Sequence, residues 1–564
     1  MKQHPEPEKG RTSRLAMSRR RFLQNVGVGV SATAFGGLLA ACAAPAAPPS
    51  AGEAPAEAPA EAPAAAEGGA KQGGTMVWMG HQEVAGLGPD DTGPTVQWVM
   101  IINIHNPLVA VNEFNELENV LAKEVDVSED GLTYTFKLHE GVKFHDGTEL
   151  TAEDVKYTFD YYRNPENGAS IAGDFTGVGS VDAPDKYTVV VNMDEVNAAS
   201  LTSWAGTVIV QSKYHAEVGE DTYRTAPIGT GPYKLKEWRP AEFTELEAFD
   251  DHFRGRPNID VLRQDVVPEP SVRMIALQTG EADSAVWPLL VEDSIALEQD
   301  PNFIVYRTLA NSIKHFPLNN TLPQLSEKEV RQALLYALDR QRIIDDLWNG
   351  AAQVAHSNLT PASPYHKADL KRYEFDPEKA KALLDDAGWT VGDDGVRAKD
   401  GTKLAFTCTT ITGDQARRPI AELAQQLLSE IGVDMQLEEA PVASILQGMR
   451  EGTMDCSLFN WTYGSAVEPD PFSTLHSDGG NNFAQYSNPR MDELIEEGLK
   501  KVKFEDRKPI YDEIQEIFVE DVPVLYLQFD EWMNVFNKRI KGLPENPKNG
   551  SAIYQQAYKW WIEE

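Results

Sequence analysis

The sequence predicts a mixed α/β fold, and three observations indicate it. From residue 75 to the C-terminus, strand-like stretches with apolar residues at every second position alternate with stretches of helical periodicity. The chain has 564 residues, which is too long for one core and suggests about three domains. Apolar residues make up 41% of the chain and aromatic residues 9%, a composition typical of packed globular proteins.

The formal net charge of −36 excludes one class of partner. Nucleic-acid binding depends on lysine and arginine that neutralise phosphates, so no nucleic-acid partner is expected. The first 41 residues have the opposite character, with seven Lys or Arg against Glu6 and Glu8. A basic leader on an acidic body indicates a targeting signal.

The leader "SRRRFLQNVGVGVSATAFGGLLAACA" (18–43) resembles a twin-arginine export signal that ends in a lipobox at Cys42. Its apolar stretch is shorter than the roughly 20 residues that a membrane-spanning helix needs. We therefore predict that residues 1–41 are a cleaved signal peptide and that Cys42 is lipidated. Residues 42–74 are rich in Ala, Pro and Glu, and predict a disordered tether.

In the first half of the body, "TYTFKLHEGVKFHDG" (133–147) alternates like a strand and ends in Asp-Gly turn chemistry. The residues Thr151–Asp154 resemble a capping box and predict the start of a helix. Residues 231–249 predict a hairpin that turns at Arg239-Pro240.

The second half of the body predicts longer helices. Ser326–Glu329 is expected to cap one continuous helix that ends at Gly350. Prolines at positions 377 and 489 each predict the first residue of a helix, after Asp376 and Asn488. The short strands "LAFTCTT" and "DCSLFNW" lie between these helices and predict a parallel or mixed sheet.

Cys408 and Cys456 fall in these two apolar strands. Buried free thiols are the favoured interpretation, and a disulfide between them is the alternative. No cysteine cluster has zinc-finger spacing, and no metal site or cofactor is expected.

Residues 126–159, "DVSEDGLTYTFKLHEGVKFHDGTELTAEDVKYTF", resemble the characteristic segment of the family-5 extracytoplasmic solute-binding proteins. These are the oligopeptide, dipeptide and nickel binders of ABC importers. Further segments follow in the order of that family. They are "PIGTGPYKLKEW" (227–238), "RMIALQTGEADSAVWPL" (273–289), "EVRQALLYALDR" (329–340), "AKALLDDAGW" (380–389), "DDGVRAKDGTKL" (393–404) and "NFAQYSNPRMDELI" (482–495).

The resemblance implies a two-lobed, three-domain periplasmic-binding-protein fold that closes like a flytrap on its ligand. Domain I would comprise residues 72–105, 228–313 and 530–564. Domain II would comprise residues 106–227 and domain III residues 314–529. The expected protein is an extracytoplasmic monomer, anchored to the membrane by lipid, that serves an ABC permease.

Enzymatic chemistry is not expected. The sequence has no nucleophile elbow, no HExxH motif and no phosphate-binding loop. Glu468 and Asp470 are two residues apart in a proline-flanked loop, which does not hold the roughly 5 to 9.5 Å carboxyl separation of a glycosidase. A secreted hydrolase on this scaffold is the remote alternative.

The stretch "NWTYGSAVEPDPFSTLHSD" (460–478) is expected to form a wall of the ligand cleft. Trp461 matches the tryptophan of a W-x-x-D pattern that peptide-binding members of the family carry, but Gly464 stands where their amine-binding aspartate would be. Either Glu468 or Asp470 replaces that aspartate, or the ligand is not a zwitterionic peptide. Burial of an unpaired charge would cost several kcal/mol.

Other residues are candidates for the ligand site. Tyr463 offers an aromatic face and a hydroxyl. Trp287 falls where the family places pocket residues, with a core role as the alternative. Asn319 ends the strand that enters domain III, where its amide could bond the ligand or merely the hinge backbone. Trp98 could close the pocket from domain I, although a core role is the simpler interpretation. The expected ligand is a peptide or peptide-sized polar solute. An oligosaccharide is the alternative because the tryptophans suit sugar rings, and a metal chelate also stays open.

Overall fold

The structure is a computed structural model that describes residues 71–90, 95–286, 289–462 and 466–563. Among these residues, nine strands form a central sheet in the order β20-β12-β21-β11-β1-β10-β9-β8, with β13 paired to β21. The strands are β1 (Thr75–Gly80), β8 (Tyr233–Arg239), β9 (Phe243–Ala248), β10 (Val261–Val266), β11 (Ser284–Val286), β12 (Phe303–Pro317), β13 (Ala352–Val354), β20 (Phe459–Thr462) and β21 (Val524–Asn537).

The pairing in this sheet is mixed. Strand β1 is parallel to both β10 and β11, whereas the remaining pairs are antiparallel. The hairpin of β8 and β9 closes with Arg239 opposite Phe243, which confirms the predicted turn at Arg239-Pro240. The helices next to this sheet are α1 (Thr95–Ile104), α6 (Pro270–Thr279) and α7 (Val291–Glu298). The C-terminal part adds a 3₁₀ segment (Ala552–Lys559) and the strand pair β22 (Ile540–Lys541) and β23 (Trp561–Ile562).

The two longest strands, β12 and β21, pair from Phe303 opposite Asn537 to Pro317 opposite Val524. Their ladder has a register shift between Leu309, which faces Glu531, and Ile313, which faces Phe529. Three residues of β12 therefore bulge out where β21 supplies one. A bulge bends the strand and redirects its side chains, and bulges are frequent beside functional sites.

A second sheet is antiparallel and has the order β4-β5-β7-β6. Its strands, with the neighbouring hairpin β2-β3, are β2 (Val109–Val111), β3 (Leu117–Asn119), β4 (Ala122–Val127), β5 (Thr133–Leu138), β6 (Val178–Asp185) and β7 (Thr188–Met193). The helices α2 (Ala152–Tyr162), α3 (Ser200–Trp204), α4 (Ser212–Val218) and α5 (Glu220–Tyr223) accompany it. The predicted capping box is confirmed, because the Thr151 N–H donates to Asp154 Oδ2 at 2.9 Å.

The third region combines two small sheets with eight helices among the described residues. Its strands are β14 (Thr390–Val391), β15 (Arg397–Lys399), β16 (Thr402–Lys403), β17 (Ala405–Ile411), β18 (Asp434–Ala440) and β19 (Cys456–Ser457). Its helices are α8 (Lys328–Ala337), α9 (Arg340–Trp348), α10 (Pro377–Asp386), α11 (Arg418–Ser429), α12 (Val442–Arg450), α13 (Phe472–Leu475), α14 (Pro489–Leu499) and α15 (Phe504–Asp521). Strand β17 is parallel to β18 and β19, as expected.

Helices α10 and α14 begin at the predicted prolines, each behind an N-cap side chain from Asp376 or Asn488. The continuous helix predicted from residue 326 to Gly350 is wrong, because it divides into α8 and α9. Leu338 is extended between them, and Asp339 Oδ1 accepts the N–H of Arg342 to cap the second helix.

Cys408 and Cys456 are directly opposite each other on neighbouring strands, and both are buried free thiols. Burial raises the pKa of Cys456 well above its ordinary value. The favoured interpretation of two free thiols is confirmed.

The apolar residues gather in three main cores. Core I is built around the central sheet and includes Trp78, Tyr554 and Trp560. Core II contains buried residues between positions 108 and 223, and core III contains buried residues between positions 313 and 529. Of the described helices, none combines the length and the apolar character that crossing a bilayer requires. The domain boundaries predicted from the sequence stay a prediction.

Candidate functional site

A cavity of about 230 Å³ lies where chain segments from all three core regions approach one another. We call it the cleft. It is partly open to solvent and has a mixed lining of aliphatic, amide and hydroxyl groups with one ammonium group and one aromatic ring. The lining residues are Val111, Asn115, Leu309, Ala310, Asn311, Thr360, Ala362, Ala466, Val467, Trp532, Lys548, Asn549, Gly550 and Ser551.

The floor of the cleft is the bulge between β12 and β21. Leu309, Ala310 and Asn311 lie at the register shift and line the cavity. Trp532 of β21 lies opposite Thr308 and is half-buried, so its indole offers a flat apolar surface beside the bulge. The local break in pairing therefore places both backbone and side chains of the two long strands at the cavity.

One side of the cleft is residues 548–551, which we call the 548–551 wall. Its position is fixed mainly through its backbone, because the N–H groups of Lys548 and Asn549 donate to the Glu113 carbonyl at 2.7 and 3.0 Å. Gly550 is buried against the floor, where a Cβ would approach Thr308 Oγ1 to 2.7 Å. A glycine is thus required for this close approach, and the Lys548 side chain is left exposed at the cavity.

The opposite side includes residues 466–471, which we call the 466–471 wall. Ala466 and Val467 line the cavity, but the acid that follows turns away from it. Glu468 pairs with Arg507 and accepts a hydrogen bond from Tyr365 Oη at 3.1 Å. Arg507 is 1% exposed and also donates through Nε to the Gly498 carbonyl at 3.0 Å. The carboxylate of Glu468 is therefore directed into core III.

Asp470 also has a structural partner. Its Oδ1 accepts the N–H of Phe472 at 3.0 Å, which satisfies a donor at the start of α13. Burial raises the pKa of the Asp470 carboxyl above its ordinary value, and the hydrogen bond from Phe472 opposes this shift. Asp470 is not among the residues that line the cleft.

A buried ion pair lies beneath the floor. Lys314 Nζ is 3.0 Å from Asp530 Oδ1 and 3.5 Å from the ring centre of Trp348. Asp530 is the residue of β21 opposite the bulge, and its second oxygen accepts from Asn460 Nδ2 at 3.0 Å. Burial lowers the pKa of Lys314, while the charge of Asp530 opposes that effect. The acid nearest the bulge is thus already neutralised.

The remaining site residues predicted from the sequence lie in different places. Trp461 is opposite Ile313 at the edge of the central sheet and packs edge-on against Phe483 at a ring distance of 5.0 Å. Trp98 lines a separate cavity of about 40 Å³ with Arg254 and Tyr558. Neither tryptophan is among the cleft-lining residues.

Asn319 makes four side-chain hydrogen bonds within its own region. Its Nδ2 donates to the carbonyls of Gly452 and Met454, and its Oδ1 accepts from the backbone and the hydroxyl of Thr321. Both donors and both lone pairs of the amide are therefore in use. As ligand contacts, Asn319, Trp98, Trp461 and Asp470 stay predictions.

Tyr463, Trp287 and Cys42 lie outside the residues that the structure describes. The sequence reasoning missed Trp532, Asn311 and Lys548. In the sequence near these three residues, Asn549-Gly550-Ser551 is the one local pattern that indicates a turn. The bulge that brings Asn311 into the floor depends on strand register, which no local pattern reveals.

The regions of core II and core III contact each other directly. The Ala198 N–H donates to the Leu499 carbonyl at 2.9 Å. Gly131 lies against Val502, where a Cβ on the glycine would be 2.5 Å from Val502 Cγ2. No group of three or more His, Cys, Asp or Glu side chains in the described part of the chain is placed to hold a metal ion.

Comparison with known families and proteins gives consistent results. A family model described as bacterial extracellular solute-binding proteins, family 5, middle region, matches residues 116–483. The oligopeptide-binding protein AppA of Bacillus subtilis is 29% identical over 475 residues, which cover 81% of this chain and 86% of AppA. The glutathione-binding protein GsiB of Escherichia coli K12 is 26% identical over 484 residues, which cover 83% and 91% of the two chains.

Solved structures give the same result for the fold. The structure of B. subtilis AppA in complex with a nonapeptide matches with a TM-score of 0.71 and 26% identity, and covers 88% of this chain and all of AppA. NikZ of Campylobacter jejuni in complex with Ni(L-His) matches with a TM-score of 0.72 and 27% identity, and covers 86% and 99%. The predicted periplasmic-binding-protein fold is confirmed.

Proposed function

The chain belongs to the family-5 bacterial extracellular solute-binding proteins, and from that premise we propose that it captures a peptide or a peptide-sized polar solute in the cleft and delivers it to an ABC permease. As a member of this family it is a binding protein and not an enzyme. The relatives named above bind an oligopeptide, glutathione and a nickel chelate, which are all small polar solutes.

The observation that carries the proposal is the position of the cleft. Its floor is the bulge in β12 and β21, the two long strands that run from core I into core III, and its sides come from all three core regions. A ligand held there would contact parts of the chain that move relative to each other if these strands act as a hinge. Binding would then shift the protein toward a closed state that the permease recognises.

The contact between Ala198 and Leu499 supports this mechanism. It joins the predicted domains II and III, so a hinge motion that separated these regions would break it. The proposed ligand contacts are Trp532 and Asn311 at the floor and Lys548 and Asn549 at one side. Trp461 and Tyr463 precede Ala466 in the chain and remain candidates for the same wall, as does Trp287 for the domain I side.

An oligosaccharide is the second candidate ligand. The cleft presents three amide side chains, those of Asn115, Asn311 and Asn549, together with the indole of Trp532. Amides and a flat aromatic ring suit the hydroxyls and the apolar face of a sugar ring. A peptide uses the same groups through its backbone amides.

Binding measurements on the purified protein distinguish these ligands. We expect small peptides to raise the melting temperature and oligosaccharides to leave it unchanged, because bound ligand stabilises the folded state. Trp532→Ala should weaken peptide binding by more than about 1 kcal/mol, as loss of a central aromatic contact does. Phe375→Ala removes an exposed aromatic ring outside the cleft lining and is the control. A rise with sugars and none with peptides would reverse the assignment of the ligand.

We also propose that Cys42 anchors the protein to the membrane through lipid. An anchor of two or more acyl chains holds a protein stably at a bilayer, and a tether through residues 43–74 would keep the receptor close to its permease. Cys42→Ser should move the protein from the membrane fraction to the soluble fraction in the native host. Persistence of the variant in the membrane fraction would instead indicate that the leader is retained as an anchor.

A further inference from the structure

Lys548 is the one ionisable side chain among the described residues that line the cleft. Its backbone N–H is fixed by the Glu113 carbonyl, while its side chain is exposed. The other polar groups of the lining are the amides of Asn115, Asn311 and Asn549 and the hydroxyls of Thr360 and Ser551. The described lining therefore presents one positive charge and no negative charge.

Carboxylates lie next to the lining residues in the chain, but none of them is among the residues that line the cleft. Glu116, beside Asn115, is exposed outside the lining. Five others each make an ion pair or a hydrogen bond with a group outside the lining: Glu113 with Gln556 Nε2 at 2.9 Å, Glu468 with Arg507, Asp470 with the Phe472 N–H, Asp530 with Lys314 at 3.0 Å, and Glu531 with Arg307 at 3.0 Å.

Two of these acids belong to residues next to the cleft: Glu113 accepts the Lys548 N–H through its carbonyl, and Asp530 lies opposite the bulge. Glu113 is 6% exposed, so a ligand cannot reach its carboxylate without rearrangement of the β2–β3 hairpin. Asp530 has both oxygens occupied, one by Lys314 and one by Asn460. Between β20 and Ala466, residues 463–465 are Tyr-Gly-Ser and contribute no charge.

This distribution of charge has a consequence for the ligand. An ammonium group in the cleft would lose water without gaining a carboxylate, which is costly. A carboxylate there gains a charge-assisted hydrogen bond from a lysine. The net charge of −36 attracts cations from a distance, but salt screens charges more than about 8 Å away. The charged groups in the cleft therefore determine which ligand charge is favoured.

Building on the proposed function, we infer that the cleft selects a solute with a carboxylate and without a free ammonium group, and that Lys548 binds the carboxylate. N-blocked peptides with a free C-terminus and cyclic peptides with an acidic side chain have this chemistry, whereas an ordinary zwitterionic peptide does not. Trp532 and the three asparagines then bind the uncharged part of the solute.

Four forms of trialanine test the inference by calorimetric titration, because small blocking groups at the two ends change their charge. They are N-acetyl-trialanine, N-acetyl-trialanine amide, trialanine and trialanine amide, with net charges of −1, 0, 0 (as a zwitterion) and +1. We expect N-acetyl-trialanine to bind about tenfold more tightly than the doubly blocked form. Trialanine amide should bind most weakly.

Variants of Lys548 assign the effect to one side chain. Lys548→Gln should lower the affinity for N-acetyl-trialanine about tenfold, to that of the doubly blocked form, and Lys548→Arg should retain the preference. Lys213→Gln removes an exposed lysine of α4 outside the cleft lining and should change neither affinity. Melting temperatures of all variants are measured to show that they fold.

Each contrary outcome overturns a different statement. Equal binding of all four forms, or a preference that survives in Lys548→Gln, would overturn the inference and leave peptide binding standing. Tightest binding of trialanine amide would overturn it as well. If none of the four binds and a neutral oligosaccharide does, the peptide assignment fails and the inference fails with it.

Discussion

The 466–471 wall and the 548–551 wall line the same cleft but are held in opposite ways. The first uses its charged side chains as anchors, because Glu468 pairs with Arg507 and Asp470 satisfies the start of α13, and the Pro469 carbonyl also accepts from Tyr511 Oη at 2.6 Å. The second is fastened through the backbone N–H groups of Lys548 and Asn549. A loop that uses its charged side chains for its own anchoring cannot offer them to a ligand, whereas a loop anchored by its backbone can.

This difference decides which charge the cleft presents. The sequence shows two acids in the first wall and one lysine in the second, so a count of charges alone favours a cationic ligand. The contacts reverse that expectation, because the acids face core III and the lysine faces the cavity. The ligand chemistry therefore depends on how each loop satisfies its own polar groups.

The largest expected loss of stability comes from breaking the ion pair between Glu468 and Arg507. Arg507→Met leaves the largely buried Glu468 carboxylate without its cation, a change that costs about 3 kcal/mol. We expect the melting temperature of the core III transition to fall by about 6 to 12 °C in calorimetry, given the usual sensitivity of a domain of this size.

Two further variants show whether the two walls differ as described. Lys548→Gln removes a charge that anchors nothing, and should change stability by less than about 0.5 kcal/mol. Glu468→Gln retains a hydrogen-bond acceptor for Arg507 and Tyr365, and should cost less than Arg507→Met. Equal losses in Arg507→Met and Lys548→Gln would contradict the comparison.

Much of the fold follows from local sequence signals. The capping box at Thr151, the helices that begin at Pro377 and Pro489, and the hairpin turn at Arg239-Pro240 each satisfy the backbone within a few residues. Patterns of that range can be recognised without knowledge of the tertiary structure. The prediction of a helix that continues to Gly350 was wrong because a local pattern does not include contacts that are distant in the sequence.

That helix breaks at Leu338, two residues before a side chain whose contacts lie outside the helix. Arg340 is buried and donates to the carbonyls of Ala355, Tyr373 and Tyr526, which are 15, 33 and 186 residues away in the chain. The cleft depends on the same kind of information. The bulge at Asn311 reflects the register of two strands about 200 residues apart, and Lys548 is held by the carbonyl of Glu113, which lies between β2 and β3.

A smaller gain in stability is expected from a change at Asp470. Burial raises the pKa of this carboxyl in the folded protein, so its protonation favours folding. The stability associated with the neutral form is fully present below the ordinary pKa of 3.8 and is lost as the pH rises through the raised folded-state value. Aspartate at this position therefore destabilises the protein slightly at neutral pH.

Asp470→Asn keeps an oxygen that accepts the Phe472 N–H and removes the charge at every pH. We expect the variant to be more stable than the native protein at pH 7, by less than about 1 kcal/mol, and the difference to disappear below pH 3.8. Melting temperatures of both proteins across this range measure it, and binding of the trialanine series should be unchanged. If binding of the forms with a free ammonium were lost in Asp470→Asn, the carboxylate would face the ligand and the two walls would not differ in the way described.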